Sequence, residues 1–343
     1  MKQILYNKPN STRNPLSLKL TLSSNNNIYK TTNEIKFNKT EKSICIFKIE
    51  KNPKNKKQTN NSLNKNNSNI SSQSYLNFVF NNDQERVSYA GDNLEEIYLN
   101  LLLEENNSIK KPKIGYMNIQ TEINEQMRAI LVDWIIEVHF QFNLRQETLY
   151  MAIWIIDTYL SFHFISRKKL QLLGISCLLI SCKSEEIYFP HQNKFIEVTD
   201  GAYTKEEMLK MENEILKKLE FKILFPTSND FYNILSKLYN FDRKQYFLGK
   251  YFLEMTLIDY NMIKYSGSII SAASIYLVMK YFGINGYQKL YSNKIINENN
   301  PENTIKDTAK EIYLLMEHLS QSKLKTVKNK YALAQFESVS EFF

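Results

Sequence analysis

Residues 127–139, MRAILVDWIIEVH, carry more apolar surface than an ordinary amphipathic helix needs. On a wheel of 3.6 residues per turn, Met127, Ile130, Leu131 and Trp134 share one face at the spacing i, i+3, i+4, i+7. Ala129, Val132 and Ile136 fall on nearly the opposite face, with Ile135 between them. Asp133 and Glu137 form a thin polar strip, and Arg128 stands alone on the other flank. A surface helix buries one apolar stripe and wets the rest. Two stripes imply either a helix buried all round, which periodicity alone favours, or one stripe in the core and a second offered to a partner.

Working outward, helical periodicity persists from about residue 92 to the C-terminus, with no sustained β alternation. NLEEIYLNLLLEEN (93–106) reads as an amphipathic helix, followed by the break KKPKIGYM. Helices are expected over 125–142, over 145–161, after a cap at Ser166, near 191–199, and from Thr204, where TKEE is a capping box. FPT (225–227) ends that series, because proline stops helices. A second series of similar plan follows: NDFYNILSKLYN, RKQYFLGKYFLEMTLIDYNM, SGSIISAASIYLVMKYFGI and IKDTAKEIYLLMEHLSQS. The third helix of each series carries small residues, Gly174, Cys177 and Ser181 in one and Ser271, Ala272 and Ser274 in the other. Small side chains let a central helix be approached closely from several sides.

The net charge of +8 is unevenly spread: residues 1–80 hold 14 Lys/Arg against 3 Asp/Glu, and the rest hold 30 against 33. The basic part is rich in Asn, Lys and Ser, as in NNSLNKNNSNISSQS, and reads as a disordered tail over residues 1–88. Within it, KNPKNKK (51–57) reads equally as a nuclear import signal or as a solvated charge run. The slightly acidic body argues against a fold that grips nucleic acid directly, which needs clustered cations on the fold itself. Cys45, Cys177 and Cys182 match no disulfide, zinc or redox spacing, which points to a reducing compartment. Apolar runs are broken by charges every few residues, so no membrane span or signal peptide is expected.

The constellations of catalysis are absent from the sequence. It has no Gly-rich phosphate loop, nucleophile elbow or HExxH. His139, His163, His191 and His318 are scattered and read as packing or surface residues, so neither a metal nor a cofactor is expected. Glu185 and Glu186 are adjacent and point in different directions on a helix, so they form no shared-proton pair.

MRAILVDWIIEVHFQFNLRQETLYMAIWIIDTYLS, LQLLGISCLLISCKSEEIYFP and YTKEEMLKMENEILKKLEFKILFPT together resemble the cyclin box. KPKIGYM resembles the segment that precedes the box in mitotic A- and B-type cyclins, and TVKNKYALAQFESVS resembles their closing motif. The resemblance covers roughly residues 92–340, is weaker after 228, and lies slightly nearer the A than the B pattern. It implies an all-α fold: a tail (1–88), an N-terminal helix plus first five-helix cyclin box (89–226), a second cyclin-box-like domain (227–330) and a C-terminal extension (331–343).

The resemblance also assigns roles. It implies a buried structural ion pair of Arg128 and Asp157, a hallmark leucine at Leu172, and Lys183 and Glu212 as the pair that holds a cyclin-dependent kinase. Without it, Lys183 reads as a snorkelling helix-end lysine. Ile180, Leu216, Phe221 and Leu99 match apolar kinase-contact positions. Met127, Ile130, Leu131 and Trp134 match a surface groove, rimmed by Glu137 and Gln171, that captures Arg-x-Leu-type substrates or inhibitors. Thr158 stands where the family has Arg, and Ser184 where it has a kinase-packing aromatic. Arg13 and Leu16 in RNPL have the spacing of a destruction box, which would engage ubiquitin-ligase machinery. The implied function is a non-catalytic activating and substrate-targeting subunit at the G2/M stage, in nucleus and cytoplasm. Two alternatives compete. A transcription-associated factor with tandem cyclin-like folds should have a basic body and often a zinc ribbon, and a helical enzyme should have a catalytic constellation.

Overall fold

The computed structural model describes residues 93–107, 111–291, 296 and 298–343. The tail, with KNPKNKK and the Arg13–Leu16 motif, lies outside the described residues. Among the described residues every regular element is helical. A leading helix, α1 (Leu94–Asn107), is followed by α2 (Glu125–Gln141), α3 (Gln146–Phe162), α4 (Leu170–Glu185), α5 (Gln192–Glu197) and α6 (Lys205–Lys218). The second set is α7 (Ser228–Leu238), α8 (Arg243–Ile258), α9 (Gly267–Phe282), α10 (Pro301–Gln321) and α11 (Thr326–Tyr331).

In each set the helix with small residues is the central one. In the first, α4 is packed by α2, α3 and α6. A Cβ at Gly174 would lie 2.8 Å from Leu131, so the missing side chain is what lets α2 seat against α4. In the second, α9 is packed by α7, α8 and α10. Ser271 there donates its hydroxyl to the Ser228 and Gly267 carbonyls at 2.6 Å, so a buried polar group is satisfied at the helix crossing. On α8, a Cβ at Gly249 would collide with the Tyr232 ring.

Local sequence signals set the helix ends. Thr204 and Glu207 close the expected capping box, with Thr204 N–H donating to Glu207 at 2.8 Å and Glu207 N–H to Thr204 at 3.2 Å. Thr227 and Asp230 form another directly after Pro226. Ser166 differs from expectation: its side chain caps nothing, because Arg167–Lys169 is a tight 3-10 turn that leads into α4. Helix α1 docks on the second set, with Tyr98 edge-on to Phe231 and Glu105 accepting from the Ser268 N–H and hydroxyl at 3.1 and 2.5 Å. Glu105 thereby satisfies first-turn donors of α9.

One guanidinium joins the two sets. Arg128 is 1% exposed. It donates to both carboxylate oxygens of Asp157 at 2.6 and 2.7 Å, and to the Leu257 and Ile258 carbonyls at the end of α8 at 3.0 and 3.2 Å. The Tyr116 hydroxyl completes the Asp157 shell at 2.8 Å. The neighbouring Thr158 is fully buried, and its hydroxyl has no hydrogen-bond partner among the described residues.

Removing one member of such a pair strands the other in the interior. Arg128→Met is expected to lower unfolding free energy by about 3–5 kcal/mol. The double variant Arg128→Met/Asp157→Leu is expected to recover more than half of that loss. Urea unfolding of the three proteins checks this, and a single-variant loss below about 1 kcal/mol would contradict a buried, coupled pair.

Candidate partner-binding surfaces

Helix α4 runs apolar and buried from Leu170 to Cys182, then reaches the surface at Lys183. Helix α6 brings Glu212 alongside, and Lys183 Nζ donates to both Glu212 oxygens at 2.6 and 2.8 Å. The lysine side chain keeps a third of its surface open while that of Glu212 keeps 11%. The pair is thus formed before any partner arrives, with a positive head at the rim and a carboxylate behind it.

Exposed apolar side chains follow the ends of the two helices that carry this pair. Phe221 and Leu224 are mostly exposed, and Ile187 and Tyr188 are almost fully so, at 85% and 92%. Phe221 is held at φ +59 directly after Glu220 at φ +54, where the end of α6 is wound over by Phe221 N–H donating to the Leu216 carbonyl at 2.9 Å. Left-handed backbone costs a non-glycine residue roughly 1–2 kcal/mol, and no burial of the Phe221 ring offsets it. Of the residues expected beside it, Leu216 and Leu99 are half-buried against the core. Ile180 requires correction: it is 3% exposed and belongs to the core, because α3 and α6 pack on both sides of α4 there. Ile187, Tyr188 and Leu224 were not singled out from the sequence. For Ile187 and Tyr188 the signal was an apolar IYF directly after the charged end of α4, in a loop with no apolar periodicity to absorb it. Ser184 is exposed and adds no apolar area at the pair.

Helix α2 also departs from expectation. The face expected as an open groove is mostly core: Met127, Leu131 and Trp134 are 2%, 0% and 6% exposed. Helix α4 accounts for Leu131, which it admits over Gly174, and α11 packs on α2 from the far end of the chain. Thr326 opens α11 by donating its N–H and hydroxyl to Asp133 at 3.2 and 2.8 Å, so half of the polar strip is a cap and not a wetted edge. Burial nonetheless pushes the Asp133 carboxyl up. Further along α11, Lys330 and Glu254 form a fully buried ion pair at 2.7 and 2.8 Å, joined by the Tyr331 hydroxyl. Below it His139 bonds the Arg145 carbonyl at 2.7 Å, and burial pushes the imidazole down to about 4 with Lys330 adding to the shift, so it is neutral at physiological pH. The groove residues left half-exposed are Ile130, Glu137 and Gln171.

The two faces of α2 are therefore expected to respond alike. Trp134→Ala should cost about 3–5 kcal/mol and Ile136→Ala about 2–5 kcal/mol in denaturant unfolding. A Trp134→Ala cost near 1 kcal/mol would restore the open-face reading.

Comparison with known proteins agrees with this architecture. The family model for the cyclin N-terminal domain matches residues 96–224, and that for the cyclin C-terminal domain matches 226–342. The G2/mitotic-specific cyclin-B2 of Homo sapiens is 38% identical over 266 residues, covering 76% of this chain and 65% of that protein. The G2/mitotic-specific cyclin-B of Hydra vulgaris is 39% identical over 225 residues, covering 66% and 62%. Each match spans less than two thirds of the relative's own length. Both relatives are B-type, where the motifs alone lean slightly toward A. A viral cyclin from herpesvirus saimiri shares the fold at TM-score 0.56 and 21% identity, over 64% of this chain and 97% of that one. A chain of the yeast RNA Pol II CTD kinase CTDK-1 complex does so at TM-score 0.50 and 15% identity, over 64% and 75%.

Proposed function

Because the chain belongs to the cyclin family, we propose that it is the regulatory subunit of a cyclin-dependent kinase, acting at the G2/M stage of the cell cycle. The observation that carries this is the preformed Lys183–Glu212 pair at the edge of the exposed surface of Phe221, Leu224, Ile187 and Tyr188. A charge-assisted pair can dock backbone groups of a partner helix, while aromatic and aliphatic neighbours supply the apolar area on which association depends. Ile187 and Tyr188 make good the aromatic that Ser184 does not provide. A subunit that binds only one of two kinase conformations shifts the kinase toward it by its differential affinity.

Substrate recruitment fits a narrower surface than a full apolar groove. Ile130, flanked by Glu137 and Gln171, offers an apolar strip with a carboxylate at its edge, which suits the leucine and arginine of an Arg-x-Leu peptide. Residence in nucleus and cytoplasm, and turnover through Arg13 and Leu16, complete the proposal.

Lys183→Ala/Glu212→Ala is expected to abolish co-purification with the kinase and its activation, with far-UV helicity unchanged. A double variant that activates the kinase fully overturns the assignment. For turnover, Arg13→Ala/Leu16→Ala is expected to lengthen the half-life severalfold in mitotic-exit extract, and decay at the wild-type rate removes the motif as the degradation signal.

A further inference from the structure

Between the two boxes lies a cleft of about 310 Å³ that none of the surfaces above uses. It shares no residue with the Lys183–Glu212 surface or with the strip of Ile130, Glu137 and Gln171. One wall is an aromatic shelf: Trp154 of α3 and Phe225, next to Pro226, stack with ring centroids 5.0 Å apart and planes 11° from parallel. The facing wall is aliphatic, with Met262, Ile263 and Ile270 from the second box. Ile114 forms the lip and is 73% exposed.

The charges around the cleft are unequal in their freedom. Arg128 and Asp157 neutralise one another. Glu105 is held by Ser268, and Lys264 is paired with Glu311. Lys111 is different: its ammonium lies 5.9 Å from the Phe225 ring centre and has no carboxylate within ion-pair distance among the described residues. The Lys111 charge is felt by the Glu105 carboxyl, which the Ser268 donors hold, but among the described residues no carboxylate contacts the ammonium. The cleft thus offers a flat apolar slot with one cation beside its aromatic wall that no contact ion pair closes off.

We propose that this inter-box cleft is a binding site for a small, flat aromatic molecule carrying one carboxylate. The volume is at the low end of ligand sites and too small for a helix or a folded partner. A ring system slid against the Trp154–Phe225 shelf gains offset stacking and displaces water from apolar walls, which water solvates poorly. The carboxylate meets Lys111. Sites between two domains are common places for such ligands, because each domain supplies one rigid wall. A bound ligand spans both boxes, so it stabilises their joined arrangement over the separated one by mass action.

The test uses the full chain with two probes of equal shape, 2-naphthoate and 2-naphthamide, by calorimetry and thermal melting. Naphthoate is expected to bind saturably, about tenfold tighter than the amide, and to raise Tm. Lys111→Met should erase the acid-over-amide preference. Ile114→Asp, on an exposed lip where folding is not at stake, should weaken naphthoate about tenfold and leave the amide almost unchanged. Ile263→Trp, which fills the slot, should abolish binding of both probes; should that variant fail to fold, the Ile114 and Lys111 variants decide. Absence of saturable binding at millimolar probe, equal binding of acid and amide, or full naphthoate affinity in Lys111→Met and Ile114→Asp overturns the site. None of these readouts involves the kinase, so their failure is distinct from failure of the regulatory role.

Discussion

The structure depends on one buried guanidinium. Arg128 leaves a helix of the first box, meets Asp157 on a second helix, and places its remaining amino group on two carbonyls that end a helix of the second box. A buried cation has few acceptable geometries, because each unpaired donor costs the desolvation it has already suffered. Arg128 therefore imposes direction as well as attachment: α2, α3 and the end of α8 must meet at one point. The Tyr116 hydroxyl adds the segment that follows α1, so the strap leading into the first box is fixed by the same carboxylate. The inter-box cleft lies against this joint, with Arg128 and Asp157 in its lining.

A second buried pair, Lys330 with Glu254, is built differently. It draws no carbonyl from the other box, and its role is to seat α11 on α8. Lys183 with Glu212 contrasts with both. A third of the lysine side chain is open, so its ammonium keeps part of its hydration while it bonds Glu212. Burial separates three chemically similar pairs, two of them closed to solvent and one partly open to it.

Much of the fold was legible in the sequence, because helix periodicity, small residues at crossings and capping boxes are local signals. Gly174 and Ser271 marked the central helices, and Thr204 with Glu207 marked a helix start. Ser166 misled, since a cap-forming residue type can precede a 3-10 turn that needs no cap. The errors at the site were of another kind. Ile180 and the Met127–Trp134 face are apolar stripes, and an apolar stripe does not state what covers it. For α2 the cover arrives from about 190 residues further along, as the hydrogen bond from Thr326 to Asp133 shows. Such contacts have no signature in a local window. Tyr188 was missed for the converse reason: in an irregular loop, an exposed aromatic has no period to violate.

The last helix also reaches α2 directly. Asp133 caps α11 from the same helix that presents Ile130 and Glu137, one turn away on either side of it. If α11 lifted, Asp133 would be a half-buried carboxylate without its two donors. The half-exposed strip of α2 thus lies on a helix that meets α11 at Asp133 and α4 at Leu131 over Gly174. A face that reads as the property of one helix in the sequence is shared by three in the fold, and Arg128, on that same helix, fixes how the second box meets α2.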